Sequence, residues 1–252
     1  MAALSLLAPL ASAEEAGEPD VQTRQTAREP APVNFMAVTA PARLADALVT
    51  ATTWAGYDGA IENPRVSVSV EAGLLHGLAI AVGAESSTGG KGELTLRPLI
   101  ALRLQVLEQE ATGVDATAAV TYRQDRFELD GGFLQGTIAL GRRFDRLSLV
   151  LNLSYGLDPE GDDREGEVCA AARVEVGSGI YLGVDGRYRH DLGSTDPNRA
   201  ERGRSESETL AGATAAYAHG SWALMLEAGM SRVVTTSVRT GPVALAGYTA
   251  TF

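Results

Sequence analysis

Apolar and polar side chains alternate along almost the whole chain from about residue 46 onward. The alternation comes in blocks of roughly ten residues, broken by Gly, Asp, Ser and charged clusters. Period-two alternation bounded by turn residues predicts β-strands, because successive strand side chains point to opposite faces. Twelve such blocks follow one another: 47–57, 65–73, 77–85, 93–108, 114–123, 133–144, 147–157, 167–176, 180–190, 206–218, 222–230 and 243–252. The fourth puts Leu94, Leu96, Ile100, Leu102, Leu104 and Val106 on one face. The seventh does the same with Leu147, Leu149, Leu151, Leu153 and Tyr155. The first block, Ala47 to Tyr57, alternates least clearly.

The connections carry a second pattern. Turns after the even-numbered blocks span about two to four residues, whereas loops after the odd-numbered ones are expected to span about seven to fifteen. The last of these loops runs from Ser231 to Pro242. An even number of antiparallel strands places both termini at one end. If the odd strands run away from that end, Tyr57, Tyr122, Tyr155 and Tyr188 sit at the far level, with Phe133 beside them. Phe144, Tyr217, Trp222 and Phe252 sit at the near level. Two aromatic belts bounding an apolar band are expected where a barrel meets the two interfaces of a membrane.

The final block reads V-A-L-A-G-Y-T-A-T-F. Ala244, Ala246, Tyr248, Ala250 and Phe252 share one face; Val243, Leu245, Gly247, Thr249 and Thr251 share the other. With Phe252 as the last residue and Tyr248 four positions before it, this stretch resembles the closing strand of bacterial outer-membrane β-barrels. That resemblance implies an all-β fold: a single antiparallel up-and-down transmembrane barrel of about twelve strands, covering residues 47–252. It also implies short periplasmic turns, longer outer loops and both termini in the periplasm. Tyr248 and Phe252 would form the insertion signal read by the barrel-insertion machinery, and outer-membrane lipid and lipopolysaccharide would surround the barrel. The last strand must pair with the first to remove both sheet edges. Were residues 47–57 helical, only eleven strands would remain.

Composition fits this picture. Twenty-eight glycines in 252 residues suit many tight turns, and the net charge of −11 argues against a nucleic-acid partner. Lys91 is the sole lysine and Cys169 the sole cysteine, so an internal disulfide is impossible. Met1 to Ala13 is apolar and ends Ala11-Ser12-Ala13, which predicts a signal peptide over 1–13. It lacks a basic start, so a signal peptide truncated at its start is the expectation here. Residues 14–46 read as a flexible periplasmic lead. No later run reaches the ~20 apolar residues of a spanning helix, which leaves a closed barrel as the way to cross lipid.

If the apolar faces meet lipid, the opposite faces line a lumen. They carry Glu71, Arg97, Arg103, Asp115, Arg123, Arg143, Arg173, Glu175, Asp185, Arg187, Arg189 and Glu227. These residues are expected to form either an ion-pair network that rigidifies the barrel or an arginine-rich constriction. Twelve-stranded barrels also include a phospholipase family with a Ser-His pair and proteases with Asp and His at the outer rim. Of the three histidines, His76 and His219 fall in inner turns, and His190 stands next to Asp191 without a nucleophile arrangement. Cys169 reads as a small lumen filler. No metal or nucleotide motif stands out, and no cofactor is expected. The sequence therefore predicts a non-enzymatic barrel, foremost a narrow porin-like channel for passive passage of small solutes. A non-conducting structural or adhesive barrel is the alternative, and a barrel hydrolase comes last.

Overall fold

A computed structural model of the chain describes residues 48–75, 77–88, 94–124, 132–159, 163–194 and 206–252. The proposed signal peptide, the lead over 14–46 and His76 lie outside the described residues. Twelve strands follow in order: β1 (Val49–Asp58), β2 (Asn63–Leu75), β3 (Leu78–Thr88), β4 (Leu94–Leu107), β5 (Asp115–Gln124) and β6 (Gly132–Phe144). Then come β7 (Leu147–Leu157), β8 (Asp163–Gly177), β9 (Ile180–Ser194), β10 (Ser207–His219), β11 (Trp222–Val234) and β12 (Val238–Thr251). Each strand pairs antiparallel with its sequence neighbours, and β1 pairs with β12, so the sheet closes on itself. The poorly patterned first block is thus a strand, held on both sides. At the closing seam the hydroxyls of Thr50 and Thr251, and of Thr52 and Thr249, lie 3.1 Å apart in each pair.

Burial runs inside out relative to a water-soluble protein. The outward face is aliphatic and accessible: Val184 is 58% exposed and Leu226 61%. The inward face is polar and enclosed, with Asp58, Asn152 and Ser231 at 0%. An apolar band of this extent around an entire molecule requires an apolar solvent. A closed sheet leaves no unpaired backbone edge to be stranded in lipid. The fold is a transmembrane β-barrel.

Several expected boundaries change. β8 begins at Asp163 rather than Glu167, and β9 continues to Ser194 rather than His190. The loop expected over Ser231–Pro242 is mostly strand: β11 and β12 stay paired out to Val234 opposite Val238, leaving only Thr235–Ser237 as the turn. Gly59–Glu62 is short as well. At the terminus-bearing rim, by contrast, Glu108–Val114 carries a one-turn helix, α1 (Gln109–Thr112), where a short turn is expected. Loop length therefore does not alternate as regularly as the sequence suggests. The physical reason is that the β11–β12 hairpin projects past the apolar band. Arg232, Arg239 and Thr240 are exposed there. Without lipid on one side, alternation is no longer required although backbone pairing continues.

One stretch of the inward face is apolar. Leu210 of β10, Met225 of β11, and Val243 and Leu245 of β12 form a buried cluster, with Trp54 of β1 and Ala216 packed against it. Trp54 fits because the residue opposite it in the ladder is Gly247; a Cβ there would stand 2.8 Å from the indole ring.

Two outcomes follow from this architecture. Leu226→Arg puts a charge in the outward band and should destabilise the barrel in lipid vesicles by about 2–4 kcal/mol, read by urea unfolding. Gly247→Val should displace Trp54 and cost about 1–3 kcal/mol by overpacking, with a shift in tryptophan emission.

Candidate functional site

The inward charges gather in three groups. The first lies toward the rim opposite the termini and centres on Glu208 of β10, which is 4% exposed. Arg189 faces it directly across the β9–β10 ladder and donates to it at 2.6 Å. Arg187, two residues along β9, also donates to it. The third donor, Arg65 at 2.5 Å, comes from β2. β1, β12 and β11 separate β2 from β10 in the barrel wall, so the Arg65–Glu208 pair crosses the interior. Arg65 also grips Asp58 through Nε at 2.9 Å and a terminal nitrogen at 2.6 Å. The other Asp58 oxygen accepts the Ala60 amide at 3.0 Å. Charge-assisted bonds of this kind are the strong ones, and they satisfy two carboxylates that would otherwise be costly to bury.

The second group lies on β2–β6. Arg103 pairs with Glu71 across the intervening β3. Arg123 reaches Glu85 at 3.3 Å and donates to Gln135. Arg97 stands opposite Glu85 in the β3–β4 ladder.

The third group sits on β8, β9 and β11. Glu227 extends over Gly212, where a Cβ would stand 2.9 Å from its carboxylate oxygen. Gly212 is itself the ladder partner of Asp185. Glu227 thus lies over the glycine that pairs with Asp185, and Arg173 stands on the neighbouring β8. Both are more than nine-tenths buried, at 6% exposure for Asp185 and 3% for Glu227.

Nine of the twelve residues expected to line the lumen fall in these groups. The other three, Asp115, Arg143 and Glu175, have inward parity but lie at the terminus-bearing rim. There Asp115 accepts the Gln109 amide at 2.8 Å, and Arg143 bonds to the Asp145 carbonyl at 3.3 Å and to the Gln109 side chain. The alternation did not single out Arg65, Asp58, Glu85 or Glu208. Glu208 shares its parity with Leu210 and Thr214, both buried, so the signal was present. It was obscured because the inward face of β10 mixes Leu and Ala with polar residues.

The expected belt residues Tyr57, Tyr122, Tyr155 and Tyr188 take outward positions in the half away from the termini. Phe144, Tyr217, Trp222 and Phe252 do so near the termini, as does Tyr248. Phe133 is the exception: it shares the inward parity of Gln135 and packs over Gly156 of β7, because only a glycine leaves room there for the ring. At the terminus-bearing rim the Tyr217 and Trp222 rings meet edge to face at 5.7 Å, His219 lies 5.9 Å from Trp222, and Arg142 sits 4.5 Å over Phe144. His190 faces outward and stacks on Tyr188 at 6.1 Å, while the Asp191 carboxylate accepts the Gly193 amide at 2.6 Å. Neighbours in a strand point to opposite faces, so this His-Asp pair does not converge. Cys169 is buried on the inward wall at 1% exposure, its thiol 3.6 Å from Glu167. No group of three or more metal-ligating side chains occurs among the described residues.

No protein-family model matches the chain, and no curated protein matches it in sequence. Solved structures do match. The NanC porin superposes with a TM-score of 0.57 at 9% identity, covering 79% of this chain and 98% of that one. The KdgM porin in complex with disordered oligogalacturonate gives 0.59 at 7%, covering 81% and 99%. The COG4313 outer membrane channel from Pseudomonas putida F1 gives 0.54 at 12%, covering 83% and 97%. The likeness spans nearly the whole of each partner: the chain has the closed antiparallel barrel fold of outer-membrane porins and channels.

Proposed function

We propose that the protein is a narrow porin-like channel of a bacterial outer membrane, passing small solutes passively, with both termini on the periplasmic side. The observation that carries this reading is the contrast between the faces: a continuous apolar exterior around an interior lined by charges paired between different strands. Twelve strands lie between the eight that side chains fill and the sixteen or more that leave an open channel. The Arg65–Glu208 pair crossing the interior narrows the passage further. In this reading Tyr248 and Phe252 engage the insertion machinery and lipopolysaccharide surrounds the rim facing outward. The three similar folds named above are porins and a channel, which favours transport over hydrolysis.

A second reading, a non-conducting structural or adhesive barrel, rests on the buried Trp54–Met225–Leu245 cluster, which occupies one inward wall with packed apolar side chains. Single-channel recording in planar bilayers separates the two. Discrete conductance steps support the channel; a correctly folded, heat-modifiable barrel that never conducts removes it.

Glu208→Gln supplies a sharper expectation. It withdraws the carboxylate charge from Arg65, Arg187 and Arg189, and breaking a buried ion network in this way costs about 3–5 kcal/mol in denaturant unfolding. In the recording chamber the same variant should shift the reversal potential toward anion preference. An unchanged potential would place Glu208 off the conduction path.

A further inference from the structure

The outward faces of the barrel carry charge of one sign. No carboxylate takes an outward position on any described strand, but three arginines do. Arg142 lies near the terminus-bearing end of β6, and Arg164 and Arg232 lie toward the opposite ends of β8 and β11. All three are exposed. Arg142 sits over the Phe144 ring. Arg164 and Arg232 have no carboxylate partner among the described residues, whereas the inward Arg65, Arg103, Arg123, Arg187 and Arg189 are ion-paired. The strand carboxylates of β8–β10 near that rim, Asp163, Glu165, Asp191 and Glu208, all have inward parity.

The pairing registers bring Arg164 and Arg232 to one height. Ladder rows climb the wall obliquely, as the stagger of a closed barrel requires. The row through Tyr57 passes Ala244, Ala228 and Ala213 and meets β9 at Val184, four residues short of Tyr188. Tyr57 and Tyr188 belong to one aromatic belt, so equal heights drift from the ladder row by about one residue per strand. The row through His190 runs by Ser207 to Val234. Two strands of drift move the level of His190 on β11 from Val234 to Arg232. In the other direction the row meets β8 at Gly166, and one strand of drift brings the level within a residue of Arg164. Arg164, His190 and Arg232 thus stand side by side just beyond the belt. Ser207 and Thr209 occupy the outward positions of β10 between them. The His190 ring is stacked on Tyr188 at 6.1 Å. Elsewhere around the belt the outward residues Tyr57, Tyr122 and Tyr155 are uncharged.

An outward arginine is costly in hydrocarbon and cheap where headgroups begin. At that depth its guanidinium meets phosphate oxygens, which it can grip with two parallel N–H donors. We propose that Arg164, His190 and Arg232 form a binding site for the phosphorylated sugar headgroup of lipopolysaccharide on the β8–β11 sector of the outer wall. The arginines donate to phosphate oxygens, the His190 imidazole N–H donates between them, and the hydroxyls of Ser207 and Thr209 bond the sugars. The acyl chains run down the exposed aliphatic wall below, over Val168, Val184 and Leu226. Charge complementarity and width select this occupant. The donors spread over three strand spacings, about 15 Å, which suits a broad headgroup bearing more than one phosphate better than a single phosphodiester. The inference rests on the outer-membrane reading and does not need the channel to conduct.

Native mass spectrometry of the folded barrel in detergent tests it, with bisphosphorylated lipid A as the probe. The wild type should retain lipid A. Arg164→Gln combined with Arg232→Gln should weaken retention by about tenfold or more, since one charged hydrogen bond is worth about that factor. Arg142→Gln, at the opposite rim, should leave retention unchanged. Heat-modifiable migration verifies that each variant has closed. Undiminished retention in the folded double variant overturns the proposal, as does equal retention of dephosphorylated lipid A or of phosphatidylglycerol. Displacement by inorganic phosphate at millimolar concentration also overturns it, because the site would then be one for the free ion. Membrane fractionation scores the outer-membrane reading separately, so its failure and the failure of the lipid site are distinguishable.

Discussion

Every backbone amide and carbonyl inside a membrane must find its partner within the protein, and the rest of this molecule depends on that requirement. Hydrocarbon offers no hydrogen bonds, so a sheet can cross it only by closing. Closure here means the nine-position ladder between β1 and β12, from Thr50 opposite Thr251 to Asp58 opposite Val243. Once the sheet is a cylinder, the period-two geometry of strands assigns every side chain to lipid or to the interior. The aliphatic residues take the outside and the charges take the inside.

The interior then has its own constraint. Charges withdrawn from water must be compensated, and the barrel does so with pairs that join different strands rather than neighbours along one strand. Arg103 spans β3 to reach Glu71, Arg123 spans β4 to reach Glu85, and Arg65 spans the lumen to reach Glu208. Small residues make these reaches possible. Ala79 lies buried on β3 between Glu71 and Arg103, and glycines lie under Trp54, Phe133 and Glu227. The interior is built as long side chains laid over short ones.

The parts of this design that follow from strand periodicity were legible in the sequence. The alternation in β4 and β7 is dictated by lipid on one side, so the strands and their faces could be read from it. The signal fails where lipid is absent. The projecting ends of β11 and β12 carry polar residues on both faces and read as loop. It also fails where both sides are apolar: β10 places Leu210 inward and Ala213 outward, which hid the parity that identifies Glu208 as an interior residue. Phe133 was misassigned for a third reason. An aromatic at a strand end suits either face, and the deciding feature is Gly156, a residue on another strand. The pairing of particular charges lay beyond the sequence altogether, because it depends on which strands face one another across a closed cylinder.

The seam between β1 and β12 has a consequence in time. Eleven of the twelve pairings join strands consecutive in the chain and can form as local hairpins. The twelfth joins residues as far apart as Thr50 and Thr251, 201 positions, and forms only after a long loop-closure. Arg65 and Glu208, 143 positions apart, come together in the same event. Until then the leading hairpin holds Arg65 without Glu208, and the trailing hairpins hold Glu208 without Arg65. Completion of the cylinder and completion of this charge bridge are therefore a single cooperative step, and an open sheet in lipid keeps a fault that only circularisation repairs.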